Sequence, residues 1–178
     1  MLAATLALAA GIALAQCGDP SGGGCACCKN KMDVKVAETF YQAEGCGMTF
    51  DAAQAKKLNY KCKGCCDTRL VLTQKTKDGT VSLSAASWPA KQGKGSIEVR
   101  LRNADRAAID DAKVTVKLAM AGHRMAGDTK PIVLTEGKKK DGLYTAKVDL
   151  SMKGKWVATV EVTRGDKTET YKFEMEVS

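Results

Sequence analysis

From Thr80 onward the chain alternates between apolar and polar residues. Ile97, Val99 and Leu101 alternate with Glu98 and Arg100, and Val114, Val116, Leu118 and Met120 with Thr115, Lys117 and Ala119. The same pattern returns at Ala146, Val148 and Leu150, at Trp156, Ala158, Val160 and Val162, and at Tyr171, Phe173, Met175 and Val177. A period of two with one apolar face predicts half-buried antiparallel strands. Turn residues such as Asp141-Gly142 and Gly165-Asp166 separate them. With Val81–Leu83 and Ile132–Leu134 added, about seven strands fall in about a hundred residues, the spacing of an immunoglobulin-like antiparallel β-sandwich. Trp156 is expected to anchor its core and Met175 to fill an ordinary core position.

Upstream the pattern changes twice. Residues 16–31 form a Gly/Cys-rich arm that reads as flexible, with Gly22-Gly23-Gly24 followed by Cys25-Ala26-Cys27-Cys28. Residues 32–77 hold a second group of cysteines and one helical candidate, Thr49 to Leu58, with Asp51 as N-cap before Ala52, Ala53 and Ala55. The sequence therefore divides into a leader at 1–15, the arm, a small Cys-rich segment at 32–77, and a β-sandwich at 78–178.

Leu2–Ala15 is an uncharged apolar run that ends in Ala13-Leu14-Ala15. It is shorter than the ~20 residues that span a bilayer, and small residues stand where a signal peptidase cuts. Cleavage is expected after Ala15. The basic n-region is missing, so the signal is expected to be incomplete at its start. A competing reading makes Cys17, after Leu14-Ala15-Gln16, a lipid-attachment residue. Either way the chain is expected to be exported, to the periplasm or cell envelope. The formal charge of +8 is split evenly, +4 in residues 1–77 and +4 in 78–178. Without a basic block or arginine stripe, nucleic acid is not an expected partner. Lys138-Lys139-Lys140 reads as a charged hairpin tip.

The single histidine, His123, excludes any site that needs two. It also leaves no convincing nucleophile–histidine–acid set, and no Gly-rich phosphate loop follows a strand. The chain is expected not to be an enzyme, and no small-molecule substrate is evident. Sulfur carries the chemistry instead. Met120 and Met152 each lie where an inward alternation gives way to a loop, with His123 and Met125 just beyond Met120. Thioethers are soft, need no deprotonation and favour Cu(I), while a neutral imidazole adds a stronger nitrogen donor. In the Cys-rich segment, Cys46 precedes the helical candidate and Cys62, Cys65 and Cys66 follow it. Thiolates at these spacings can close on tetrahedral zinc or trigonal Cu(I).

Cys25, Cys27 and Cys28 can add ligands from the arm or form disulfides. A four-thiolate set from Cys25, Cys28, Cys62 and Cys65 has a thirty-three-residue spacer, beyond the usual range. Eight cysteines in an exported chain also fit a disulfide framework, with 105 connectivities that sequence cannot choose among. A segment of about forty-five residues needs cross-links or a metal to fold by itself.

Gly142-Leu143-Tyr144, the run Met152-Lys153-Gly154-Lys155-Trp156 with Val157-Ala158-Thr159-Val160, and Met120-Ala121-Gly122-His123 resemble the YtkA-like/FixH family over roughly residues 80–178. That resemblance implies a small extracytoplasmic β-sandwich associated with copper handling and respiratory-oxidase assembly. Cys46-Gly47-Met48, Asp51-Ala52, Tyr60, Cys62 and Cys66 resemble, in order, the YHS/TRASH metal-binding module over about 44–70. Here the spacer is short and Leu70 stands where an aromatic residue is common. This second resemblance implies heavy-metal sensing or trafficking, mostly of copper or zinc. Together these expectations describe an exported heavy-metal protein with copper as Cu(I) first and zinc second. The alternative is a disulfide-stabilised module that docks on an envelope membrane-protein complex without bound metal.

Overall fold

A computed structural model describes residues 34–44, 47–62, 68–122 and 130–178. In chain order the elements are β1 (Thr39–Ala43), β2 (Thr49–Phe50), α1 (Ala52–Lys57), β3 (Lys61–Cys62), β4 (Thr68–Lys75), β5 (Gly79–Ala85), β6 (Gly93–Asn103), β7 (Lys113–Met120), β8 (Ile132–Val133), β9 (Thr135–Glu136), β10 (Leu143–Leu150), β11 (Gly154–Arg164) and β12 (Lys167–Val177). They form two antiparallel sheets. One runs β2-β1-β4-β5-β6-β10-β9 with β3 added to β4, and the other runs β12-β11-β7-β8.

The alternation read from the sequence sets the inner faces. On β11, Trp156, Ala158, Val160 and Val162 are buried, and on β6 so are Ile97, Val99 and Leu101. Their side chains meet those of Leu83, Val116, Tyr144 and Phe173 in one core between the sheets. Trp156 is 2 % exposed and Met175 4 %, so both occupy the core as expected.

Ile132–Leu134 is not one strand. Ile132 pairs with Val116 on β7, whereas Thr135 pairs with Thr145 on β10. The chain crosses from one sheet to the other at buried Leu134 and shuts that side of the sandwich.

The residues expected to form a separate Cys-rich segment also extend the sandwich. Strand β4 pairs with β5 and β1 pairs with β4, so the sheet runs without a break across residue 77. The remainder builds a small second core of Ala43, Phe50, Ala55, Cys62 and Leu70, with Tyr41, Met48, Leu58 and Tyr60 packed around it. The helix α1 starts where the sequence places it. The Asp51 carboxylate accepts from the Gln54 N–H at 2.8 Å, and the Gln54 side chain accepts from the Asp51 N–H at 3.1 Å. That reciprocal cap contributes about 1 kcal/mol. Six residues are too few to hold a helix alone, and buried Ala55 ties this one down.

Strand register defines two poles. Met120, Leu150, Gly154 and Val177, with the start of β6 at Gly93, lie at one. Gly79, Asn103, Leu143, Lys113 and the Arg164–Lys167 turn lie at the other.

The methionine pole and the cysteine segment

At the first pole β7 ends on Met120, directly opposite Trp156 of β11, and Trp156 in turn faces Met175 of β12. The next pair, Ala121 and Lys155, is joined by an N–H to carbonyl bond of 2.8 Å. Met120 and Trp156 are therefore the closer, non-hydrogen-bonded kind of pair, whose side chains lie side by side. Gly154 makes the room. Its φ is +128°, and a Cβ there would lie 2.8 Å from the Met120 Cε. Met152 sits in the β10–β11 turn at 39 % exposure, one of three exposed large apolar residues among those described. Its carbonyl accepts from the Trp156 Nε1–H at 3.0 Å. The Gln92 side chain donates to the Ser151 carbonyl at 2.8 Å and pins the same turn from the β5–β6 connection.

Of the four residues expected to gather around one ion, the structure places Met120 and Met152 at one pole. His123 and Met125 lie outside the described residues.

Gly154 and Trp156 of the motif Met152-x-Gly154-x-Trp156 thus have a local reason, a residue without a side chain and a donor that returns to the main-chain carbonyl of residue 152. The motif Gly142-x-Tyr144 belongs to the opposite pole. The Gly142 N–H donates to Asp110 Oδ1 at 2.6 Å. The Tyr144 hydroxyl donates to the Ile109 carbonyl at 3.0 Å and accepts from the Ala112 N–H at 3.2 Å. These bonds fasten the β6–β7 loop. Burial first, then the Asp110, Asp111 and Glu136 charges, raise the Tyr144 phenol above its ordinary value, against the bond from Ala112.

In the second core Cys62 is wholly buried and pairs with Thr68 of β4. The peptide between Arg69 and Leu70 reaches both neighbours of β4. Its carbonyl accepts from the Glu44 N–H at 3.3 Å, and its N–H donates to the Tyr60 carbonyl at 2.9 Å. A peptide points these groups to opposite edges. Glu44 and Gly47, which flank Cys46 in sequence, and Cys62 thus border the same end of β4. Cys46, Cys65 and Cys66 lie outside the described residues, as do Cys17, Cys25, Cys27 and Cys28. Among the described residues no three His, Cys, Asp or Glu side chains form a metal-holding group.

Beyond the β4–β5 pairing, two side-chain clusters tie this segment to the sandwich, and the sequence reading missed both. The Arg69 guanidinium binds Glu44 through Nε at 2.7 Å and Nη2 at 3.3 Å, pairs with Glu98 of β6, and reaches the Ala85 carbonyl at 3.3 Å. Burial works against its charge, but the bonds to Glu44 and Glu98 outweigh this and raise its pKa. The Tyr41, Tyr60 and Trp88 rings meet at 5.5–6.5 Å in tilted and edge-on pairs. Burial, then the neighbouring Tyr60 and Glu176, push the Tyr41 phenol up to about 12, against a smaller opposite pull from Trp88.

Residues 73–161, half of the chain, match the family described as YtkA-like. No curated protein matches the chain. Among solved structures, the PmoD soluble domain from Methylocystis sp. ATCC 49242 (Rockwell) superposes with a TM-score of 0.41 at 13 % identity, over 60 % of this chain and 96 % of that one. An engineered protein solved at 1.98 Å superposes at 0.37 and 17 % identity, over 58 % of this chain and 21 % of that one.

Proposed function

The chain belongs to the YtkA-like family, and from that premise we propose that it is an exported copper-binding protein of the cell envelope, acting in copper trafficking, resistance or oxidase assembly. The observation that carries this reading is that Met120, opposite Trp156, and Met152, whose main-chain carbonyl Trp156 binds, lie at the same pole. Met152 is open to solvent there, and His123 and Met125 follow Met120 by three and five residues. Thioethers and one imidazole suit Cu(I) and hold it loosely enough to pass on. Cys46, Cys62, Cys65 and Cys66 supply thiolates for a tighter site, which takes Cu(I) or zinc. Copper here is cargo.

The test is a titration of the reduced full-length protein with Cu(I) against a competing chelator. Uptake is expected, with the weaker component lost in Met120→Leu/Met152→Leu and in His123→Ala, and the tighter one reduced in Cys62→Ser. Failure to draw Cu(I) from the chelator overturns the proposal. The complete burial of Cys62 favours one competing reading, in which the cysteines are disulfides and the sandwich docks on an envelope complex. Intact mass of the untreated protein, with every thiol paired and no metal bound, would establish that reading instead.

A further inference from the structure

We infer that Trp156 is a positioning residue of the methionine site: its indole holds the Met152 turn in place while its ring lies beside Met120. The inference rests on the metal-binding reading above and adds a residue to it. Trp156 is 2 % exposed, so its ring is fixed by the core and not by solvent. Met120 and Met175 are its partners on the two flanking strands. Its one polar atom, Nε1–H, spends its bond on the Met152 carbonyl, four residues back across the β10–β11 turn. That turn carries no other strand pairing, since β10 stops at Leu150 and β11 begins at Gly154. Among the described residues the Gln92 side chain also holds this turn, through the Ser151 carbonyl.

The placement of Met152 therefore depends on Trp156 in a way that the placement of Met120, at the end of a paired strand, does not. Gly154 completes the arrangement, because any larger residue would meet the Met120 Cε. A soft cation held by the Met120 thioether would lie near the indole, its partner across the strand pair. Trp156 would then both hold the ligand turn and report its occupancy.

The protein has two tryptophans, so Trp88→Phe leaves Trp156 as the sole emitter. The full chain is titrated with Ag(I), a redox-inert stand-in for Cu(I), and followed by tryptophan emission and calorimetry. Emission should change saturably as the methionine site fills, and Met120→Leu or Met152→Leu should abolish the change. In the wild-type background Trp156→Phe keeps an aromatic ring but removes the donor. It should weaken the methionine component about five-fold, the worth of one hydrogen bond. The cysteine component should be unmoved.

Unchanged affinity in Trp156→Phe, or an emission that ignores the methionine site, overturns the inference. The emission readout stands alone if Trp156→Phe fails to fold. A wild-type chain that takes up no Ag(I) on its methionines instead brings down the metal-binding reading itself, and the wild-type titration run first separates the two failures.

Discussion

Replacing Arg69 with glutamine tests whether the cysteine segment is held to the sandwich by charge. Arg69 bonds Glu44 through two nitrogens, pairs with Glu98, and reaches the Ala85 carbonyl. Glu98 also accepts from the Ser84 hydroxyl at 3.2 Å. The side chains of Arg69, Glu44 and Glu98 are 31 %, 25 % and 22 % exposed, so solvent screens them only in part. A partly screened pair contributes up to about 1 kcal/mol. Two pairs on one guanidinium, with the fork geometry that makes arginine bonds strong, give about 1–2 kcal/mol. For a chain of this length that lowers Tm by about 2–8 °C.

Thermal unfolding of the reduced wild type and Arg69→Gln, with Lys138→Gln as a surface control, measures the loss. A second series at ~1 M salt, where screening acts within about 3 Å, should shrink the difference by about half. A Tm within about 1 °C of wild type, or a loss that salt leaves untouched, refutes the electrostatic account and leaves the β4–β5 pairing and the aromatic junction as the joint.

Two further changes follow from the structure. The Tyr41 pKa is raised, so its neutral phenol is favoured by folding; the stability this contributes is whole below pH 10 and lost as pH rises through about 12. Tyr41→Phe should flatten the alkaline fall in stability and remove a late step from the tyrosinate absorbance titration; an unchanged titration would contradict this. Gly142 has a φ of +70°, and a Cβ there would lie 2.3 Å from the Leu101 carbonyl oxygen, which is backbone and cannot yield. Gly142→Ala should cost about 2–3 kcal/mol in denaturant unfolding, and a loss under 0.5 kcal/mol, roughly the scatter of surface substitutions, would mean that the turn relaxes.

The sandwich strands were legible because each has one wet face, and the period-two signal survives on β6, β7, β11 and β12. Strand β4 was not. Leu70, Val71, Leu72 and Thr73 are all buried: Leu70 and Leu72 share one face, against the small and the main core in turn, and Val71 and Thr73 on the opposite face are covered as well. With both faces covered the alternation disappears. The split at Leu134 was hidden for another reason, since a crossing between sheets leaves no mark in local pattern.

For the site, the position of Met120 and Met152 at strand ends could be read from alternation. The Trp156 bond and the space beside Gly154 could not, because register between distant strands decides them. The Asp51 cap was readable since all its partners lie within three residues. Arg69, Glu44 and Glu98 come together across 25 and 29 positions, a separation that single-sequence pattern does not carry.

The described chain begins at Val34, which is buried, and its carbonyl accepts from the Lys75 ammonium at 3.1 Å. The Ala37 N–H bonds to the Lys75 carbonyl at 2.8 Å, and β1 then runs down from Gln74 toward Leu70. Whatever is fastened upstream therefore pulls on the molecule from the side opposite Met152.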